Sequence, residues 1–305
     1  MMATLEPTST RTRRRPKPAP RPKRPLSGAE ATSSVLSSAF TMIALVCLWM
    51  VAQLLFLGGI AQGRDQDLLY QQFRGELAGA TAPTGPIVPV GDPVALLRIP
   101  ELGLEQVVVE GTASGDTLAG PGHRRDTPLP GQVGTSVVYG RATTYGGPFA
   151  DLPTLRVGDR ITAVVGQGKV RFTVSGVRRA GDPLPQPVAD GAARLTLVTA
   201  EGSGRLGAIS PETVVYVDAD AKKAFPAPPG RPAAVPDPEQ SMASDEGALP
   251  LLALCLALLL AVTLGVVAAR QRWSTALVWV VACPLALALS WATTDVVMRL
   301  LPNLI

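Results

Sequence analysis

Three long apolar runs, at residues 40–61, 248–269 and 273–297, constrain this chain more than any other feature. At about 1.5 Å of helix per residue, each is long enough to cross a hydrocarbon core of roughly 30 Å. Gln53 is the one strongly polar residue of the first run, and only Arg270, Gln271 and Arg272 separate the other two, which is the pattern of a helical hairpin. The first run is too long for the apolar core of a cleaved signal peptide, so it reads as an anchor.

Basic residues gather on the cytoplasmic side of membrane spans. Residues 1–38 carry eight Lys and Arg against Glu6 and Glu30, and Arg270 and Arg272 mark the hairpin turn. Both are expected inside, which puts the stretch between the first and second runs outside: a multi-pass plasma-membrane protein with an extracellular middle domain. The formal net charge of +4 divides into +6 for residues 1–38, −4 for 39–269 and +2 for 270–305. A middle domain that is not basic lacks the electrostatic footprint of a nucleic-acid binder. Cys47, Cys255 and Cys283 all fall within the apolar runs, so that domain has neither a disulfide nor a thiol nucleophile. His123, the sole histidine, has no metal-ligating companions in the pattern, and no cofactor is expected.

The chain divides into a basic Pro-rich tail (1–38), a first span (39–61), a helix and linker (62–92), a folded domain (93–220), a Pro/Ala-rich linker (221–247) and two further spans (248–269 and 273–297). Asp65–Leu77 has apolar residues near helical spacing. In the folded domain short segments bounded by turn residues predict strands at Ala95–Ile99, Gln106–Glu110, Thr135–Tyr139, Arg160–Val165, Lys169–Val177, Arg194–Thr199 and Thr213–Asp218. Val170, Phe172 and Val174 alternate with Lys169, Arg171 and Thr173, as a strand with one buried face requires. Seven such strands with few helical patterns imply a mainly β domain, a closed or nearly closed barrel.

Ordered blocks within Leu97–Asp218 resemble the sortase family, and the class E-like members of high-GC Gram-positive bacteria in particular. These are Arg98-Ile99-Pro100-Glu101-Leu102-Gly103-Leu104, then Gly120-Pro121-Gly122-His123, then Thr127-Pro128-Leu129-Pro130-Gly131-Gln132, and Ser136–Phe149, which reads SVVYGRATTYGGPF. The abundance of Arg, Ala, Gly and Pro suits an actinobacterial source. The resemblance implies a sortase-like closed barrel and an extracytoplasmic transpeptidase that cleaves a sorting signal through a cysteine thioester. That chemistry needs a thiolate, a histidine and an arginine. In the resembled motifs, Arg141 stands at the histidine position and Ala200, in LTLVTA, at the cysteine position. The strand that should bring the arginine, Thr213–Asp218, contains none, and Arg205 lies only five residues after Ala200.

An alanine has no nucleophilic atom, and an arginine with a pKa above about 12 cannot exchange protons near neutrality. The expected molecule is therefore a catalytically degenerate pseudo-sortase, a non-catalytic binding or assembly partner for surface or membrane proteins, with Thr143, Thr144 and Tyr145 lining a candidate groove for sorting-signal peptides. The rival expectation is an active peptidase or transpeptidase with relocated residues, Ser203 with His123.

Overall fold

A computed structural model describes residues 28–53, 57–202 and 213–305. Eight strands, β1 (Pro93–Ile99), β2 (Leu104–Glu110), β3 (Gly122–His123), β4 (Gly134–Tyr139), β5 (Arg160–Val165), β6 (Gly168–Arg179), β7 (Ala193–Glu201) and β8 (Thr213–Ala221), close into a barrel. Its order is β1-β2-β3-β4-β7-β8-β6-β5, and β1 and β5 complete the ring. The pairs β2–β3 and β4–β7 are parallel, and the rest are antiparallel. Alternation decides what faces inward. On β6 Val170, Phe172 and Val174 enter the core while Arg171 and Thr173 stay exposed. They meet Leu97, Ile161, Leu195 and Val217 from other strands. Strand β7 is buried on both faces, because residues 184–188 and Leu304 lie over its outer side.

Strand β3 was not expected. It has two residues, and long-range pairing to Val109 and Tyr139 holds it, rather than any local pattern. So short a strand leaves part of the β2 edge uncovered, and a buried backbone group without a partner is costly. Gln66 fills the gap. Its Oε1 accepts from the Val107 amide (2.7 Å), and its Nε2 donates to the Val107 and Ala119 carbonyls (3.1 and 2.8 Å). One side chain thereby does the work of a missing strand residue.

Gln66 lies on α2 (Gly58–Ala78), which follows α1 (Gly28–Ala52). The first apolar run is thus shared between two helices: Ala39–Ala52 is a short apolar helix at the end of α1, and residues 58–61 open α2. Two later helices, α3 (Leu249–Arg272) and α4 (Thr275–Leu300), are long and apolar enough to cross a membrane, with mean hydropathies of 2.9 and 1.6 in the spans Glu246–Ala269 and Val280–Leu300. They pack on each other, and α1 lies against both, with the Trp49 and Trp291 rings 6.3 Å apart. At the end of α4, Asp295 and Arg299 pair one turn apart at 3.4 Å.

The stretches expected as linkers run along the barrel instead. Val88 and Val235 are buried, Phe225 exchanges backbone hydrogen bonds with Gly131 and Val133, and Arg125 makes a two-point ion pair with buried Glu239. Arg125 is therefore engaged within the molecule. So is Arg124, which pairs with Asp126 at 2.8 Å.

Candidate functional site

Parallel β4 and β7 pair in register up to Tyr139 opposite Val198, and the Gly140 amide continues the ladder to the Val198 carbonyl. Two residues on, Arg141, just past the end of β4, and Ala200, still within β7, follow at the same level. Leu195 and Leu197 of β7 face the core, so by alternation Thr196, Val198 and Ala200 face outward. Position 140 has to be glycine, since a Cβ there would come within 2.3 Å of the buried Phe149 ring.

The structure puts Arg141 fully inside the molecule. Its Nη1 donates to Thr144 Oγ1 and the Ile305 carbonyl, both at 2.9 Å, and its Nη2 donates to the Ser114 carbonyl and Oγ, both at 2.8 Å. The guanidinium carbon also lies 5.8 Å from the centre of the Tyr145 ring. Burial pulls the pKa of Arg141 down to about 10. The group is still a cation at neutral pH, and it is tied on four sides to oxygen acceptors. A guanidinium in that state holds its proton.

Tyr145 adopts left-handed backbone (φ 51°), followed by Gly146 (φ 77°) and Gly147 (φ 49°), a run that folds the loop after β4 into a tight knot. A side chain costs energy in that region unless its surroundings fix it. Here Gly58 at the start of α2 packs on the Tyr145 ring, and the ring is buried. Thr144 is buried too, its hydroxyl donating to the Ile305 carbonyl, while Thr143 is half-buried. The structure thus gathers Arg141, Thr144 and Tyr145 under the carboxyl-terminal segment, with Ala200 beside them. Leu304 of that segment is fully buried against Tyr139, Val198 and Ala200.

An open groove of about 380 Å³ begins on the other side of Tyr139 and Val198. The outer faces of β4, β7 and β8 floor it, and residues 184–188, in the loop between β6 and β7, form a wall. Arg178 stacks over the Tyr216 ring at 4.1 Å and pairs with buried Asp218 at 2.7 Å. Asp218 also accepts from Thr196 Oγ1 (2.7 Å), and Arg194 pairs with Asp220 at 2.6 Å. None of these residues stood out in the sequence. The signal available was the alternation of β7 and β8, which sets Thr196, Val198, Tyr216 and Asp218 on the outer face.

His123 lies apart, on β3, and is 1% exposed. Its Nδ1 is 2.7 Å from Glu110 Oε2 and its Nε2 2.9 Å from the Pro128 carbonyl. Both ring nitrogens are occupied by structural partners. Ser203 and Arg205 lie outside the described residues. Among the described residues no group of His, Cys, Asp and Glu is arranged to hold a metal ion.

A closed eight-stranded barrel with this site at the ends of parallel β4 and β7 has the sortase fold. Residues 97–218 match the family model of the sortase domain. Similar solved structures include sortase E from Streptomyces avermitilis (27% identity, 46% of this chain and 93% of that one, TM-score 0.38). A Clostridium perfringens sortase D5 transpeptidase is 18% identical over 52% of this chain and 97% of its own, with a TM-score of 0.41. The SrtF sortase from Corynebacterium diphtheriae is 22% identical over 51% of this chain and 96% of its own, with a TM-score of 0.39. No curated protein matches the chain.

Proposed function

We propose that this chain is a membrane-anchored, class E-like pseudo-sortase whose barrel lies outside the cell and serves as a non-catalytic binding or assembly partner for surface or membrane proteins. The observation that carries the reading is Ala200, a methyl group buried under Leu304 at the level of Arg141, with no cysteine anywhere in residues 93–220. A buried arginine bonded to Ser114, Thr144 and Ile305 replaces the proton carrier. Strand β8, Thr213–Ala221, brings no arginine to steady an oxyanion.

The outward placement rests on two further facts. The Asp245 amide just before α3 bonds to the Arg299 carbonyl near the end of α4 (3.0 Å), and Ser114, between β2 and β3, bonds to the Leu301 carbonyl just past α4 (2.6 Å), so both outer ends of the hairpin meet beside the barrel. The basic residues Arg270 and Arg272 are at its far tip, the side that basic flanks favour for the cytoplasm. The open groove beside Tyr216 would receive the partner.

Full-length protein in detergent, incubated with LPXTG-like peptides and hydroxylamine as acceptor, tests the central claim. No hydroxamate product above a protein-free control is expected. Turnover that survives repurification and scales with protein concentration would overturn it.

A further inference from the structure

We infer that the cleft at the ends of β4 and β7 is a peptide-docking site whose ligand is this chain's own segment Leu301–Ile305, bound in cis and able to bind as a free peptide once the tethered copy is removed. The inference rests on the non-catalytic reading and gives that site a ligand.

The segment behaves chemically as a ligand does. Pro302 cannot continue α4, and Leu301 already leaves helical backbone (φ −77°, ψ 148°), after which residues 302–305 close a turn in which the Ile305 amide donates to the Pro302 carbonyl (3.2 Å). Its backbone is then bound at every residue but Pro302, whose carbonyl the turn itself occupies. Ser114 Oγ donates to the Leu301 carbonyl (2.6 Å), Thr117 Oγ1 to the Asn303 carbonyl (3.2 Å), the Ala142 amide to the Leu304 carbonyl (2.9 Å) and Arg141 to the Ile305 carbonyl (2.9 Å). The Asn303 amide in turn donates to the Ala243 carbonyl (3.1 Å). Two side chains add selectivity. Asn303 Nδ2 donates to the carbonyls of Thr112 (2.7 Å) and Gln240 (2.8 Å), and Leu304 fills an apolar socket floored by Ala200. The backbone bonds hold the turn in place, and the two consecutive side chains decide which sequence fits.

The receptor side requires such an occupant. Arg141 aims its Nη atoms at carbonyl and hydroxyl oxygens, and without Ile305 one of these bonds would be lost from a guanidinium that is fully buried. A larger side chain at Ala200 would enter the space Leu304 takes. The ligand class is therefore a short peptide turn with an asparagine followed by a branched aliphatic residue. Leu304 shares Tyr139 and Val198 with the open groove, so the docked segment also ends that groove, and its departure would lengthen it.

The test compares the full chain with a variant ending at Leu300, both in detergent micelles, using a fluorescent Leu-Pro-Asn-Leu-Ile peptide and anisotropy. Saturable binding to the shortened variant is expected. Binding should be at least tenfold weaker to the intact chain, and at least tenfold weaker again when Arg141→Ala is added to the shortened variant. No binding to a folded shortened variant, or equal binding to both chains, overturns the inference. Should the shortened variant not fold, hydrogen exchange on the intact chain decides. The Ala142 and Asn303 amides should exchange at least tenfold more slowly than in an unstructured peptide, and exchange at the free-peptide rate overturns docking. Mass analysis of the peptide separates the two claims, since cleavage would refute the non-catalytic reading whereas intact, unbound peptide refutes only the docking.

Discussion

Gln66 offers the sharpest quantitative test of how the barrel is held together. It makes three hydrogen bonds to backbone groups of Val107 and Ala119 and is buried. Gln66→Ala leaves one amide and two carbonyls without their partner. A buried polar group left unsatisfied costs about 1–3 kcal/mol, and water entering the space vacated returns part of it, so the expected loss is about 3 kcal/mol. In a domain of this size that corresponds to a fall in melting temperature of roughly 10 °C. Gly120 provides an independent route to the same contact. A Cβ at position 120 would stand 2.1 Å from Gln66 Nε2, so Gly120→Ala must push the amide away from Val107 and Ala119. The two substitutions remove the same bonds, and the double variant should be less destabilised than the sum of the singles by about 1–2 kcal/mol. Hydrogen exchange at the β2 amides in rising urea, read by mass spectrometry, is the suitable readout, because helices α1 to α4 dominate far-ultraviolet circular dichroism. A Gln66→Ala loss below about 0.5 kcal/mol, or strict additivity, would refute the view that this side chain seals the β2 edge.

Three further outcomes follow from the site and its surroundings. In a background with Cys47, Cys255 and Cys283 replaced by alanine, an Ala200→Cys thiol should react with a maleimide at least tenfold more slowly in the full chain than in a chain ending at Leu300, since Leu304 covers it; equal rates would contradict the packing. Asp116 has its pKa raised from 3.8 to about 6, chiefly by burial and further by Glu239 and Asp245, against the Ala113 amide and Arg125. The folded state then holds this proton longer than the unfolded state, so its contribution is intact below pH 3.8 and falls away as pH rises through about 6. The loss is at most about 3 kcal/mol, and less to the extent that water screens the half-buried carboxylate. Asp116→Asn, which keeps an acceptor for Ala113, should flatten that part of a urea-denaturation profile taken from pH 4 to 7. Gly140→Ala, which sets a methyl 2.3 Å from Phe149, should destabilise the barrel by about 3 kcal/mol in the same assay.

Much of the barrel could be read from residue alternation. The predicted Arg160–Val165 is β5 to the residue, and Val170, Phe172 and Val174 announced the buried face of β6. What alternation cannot reveal is structure imposed from far along the chain. Strand β3 exists because Val109 and Tyr139 flank it, and Leu-Pro-Asn-Leu-Ile has no pattern of its own that foretells docking. The Pro-rich stretches read as tethers because composition reports stiffness and poor helix formation, not contact, and only the fold puts Val88 and Val235 against the barrel. At the site, the resemblance singled out Arg141 and Ala200. Arg141 is an arginine that any composition rule would send to the surface, yet it is 0% exposed. Its partners at positions 114 and 305 lie 27 and 164 residues away.

That last separation has a bearing on when the site forms. The chain is made from its amino end, and all eight strands are complete by Ala221, before α3, α4 and the segment after them exist. Until Ile305 arrives, Arg141 lacks one of its final acceptors. Closing a loop of 164 residues adds only a logarithmic entropic cost, so distance along the chain is no obstacle to docking. The site is therefore completed only after α4 has been made, later than the strands that carry it.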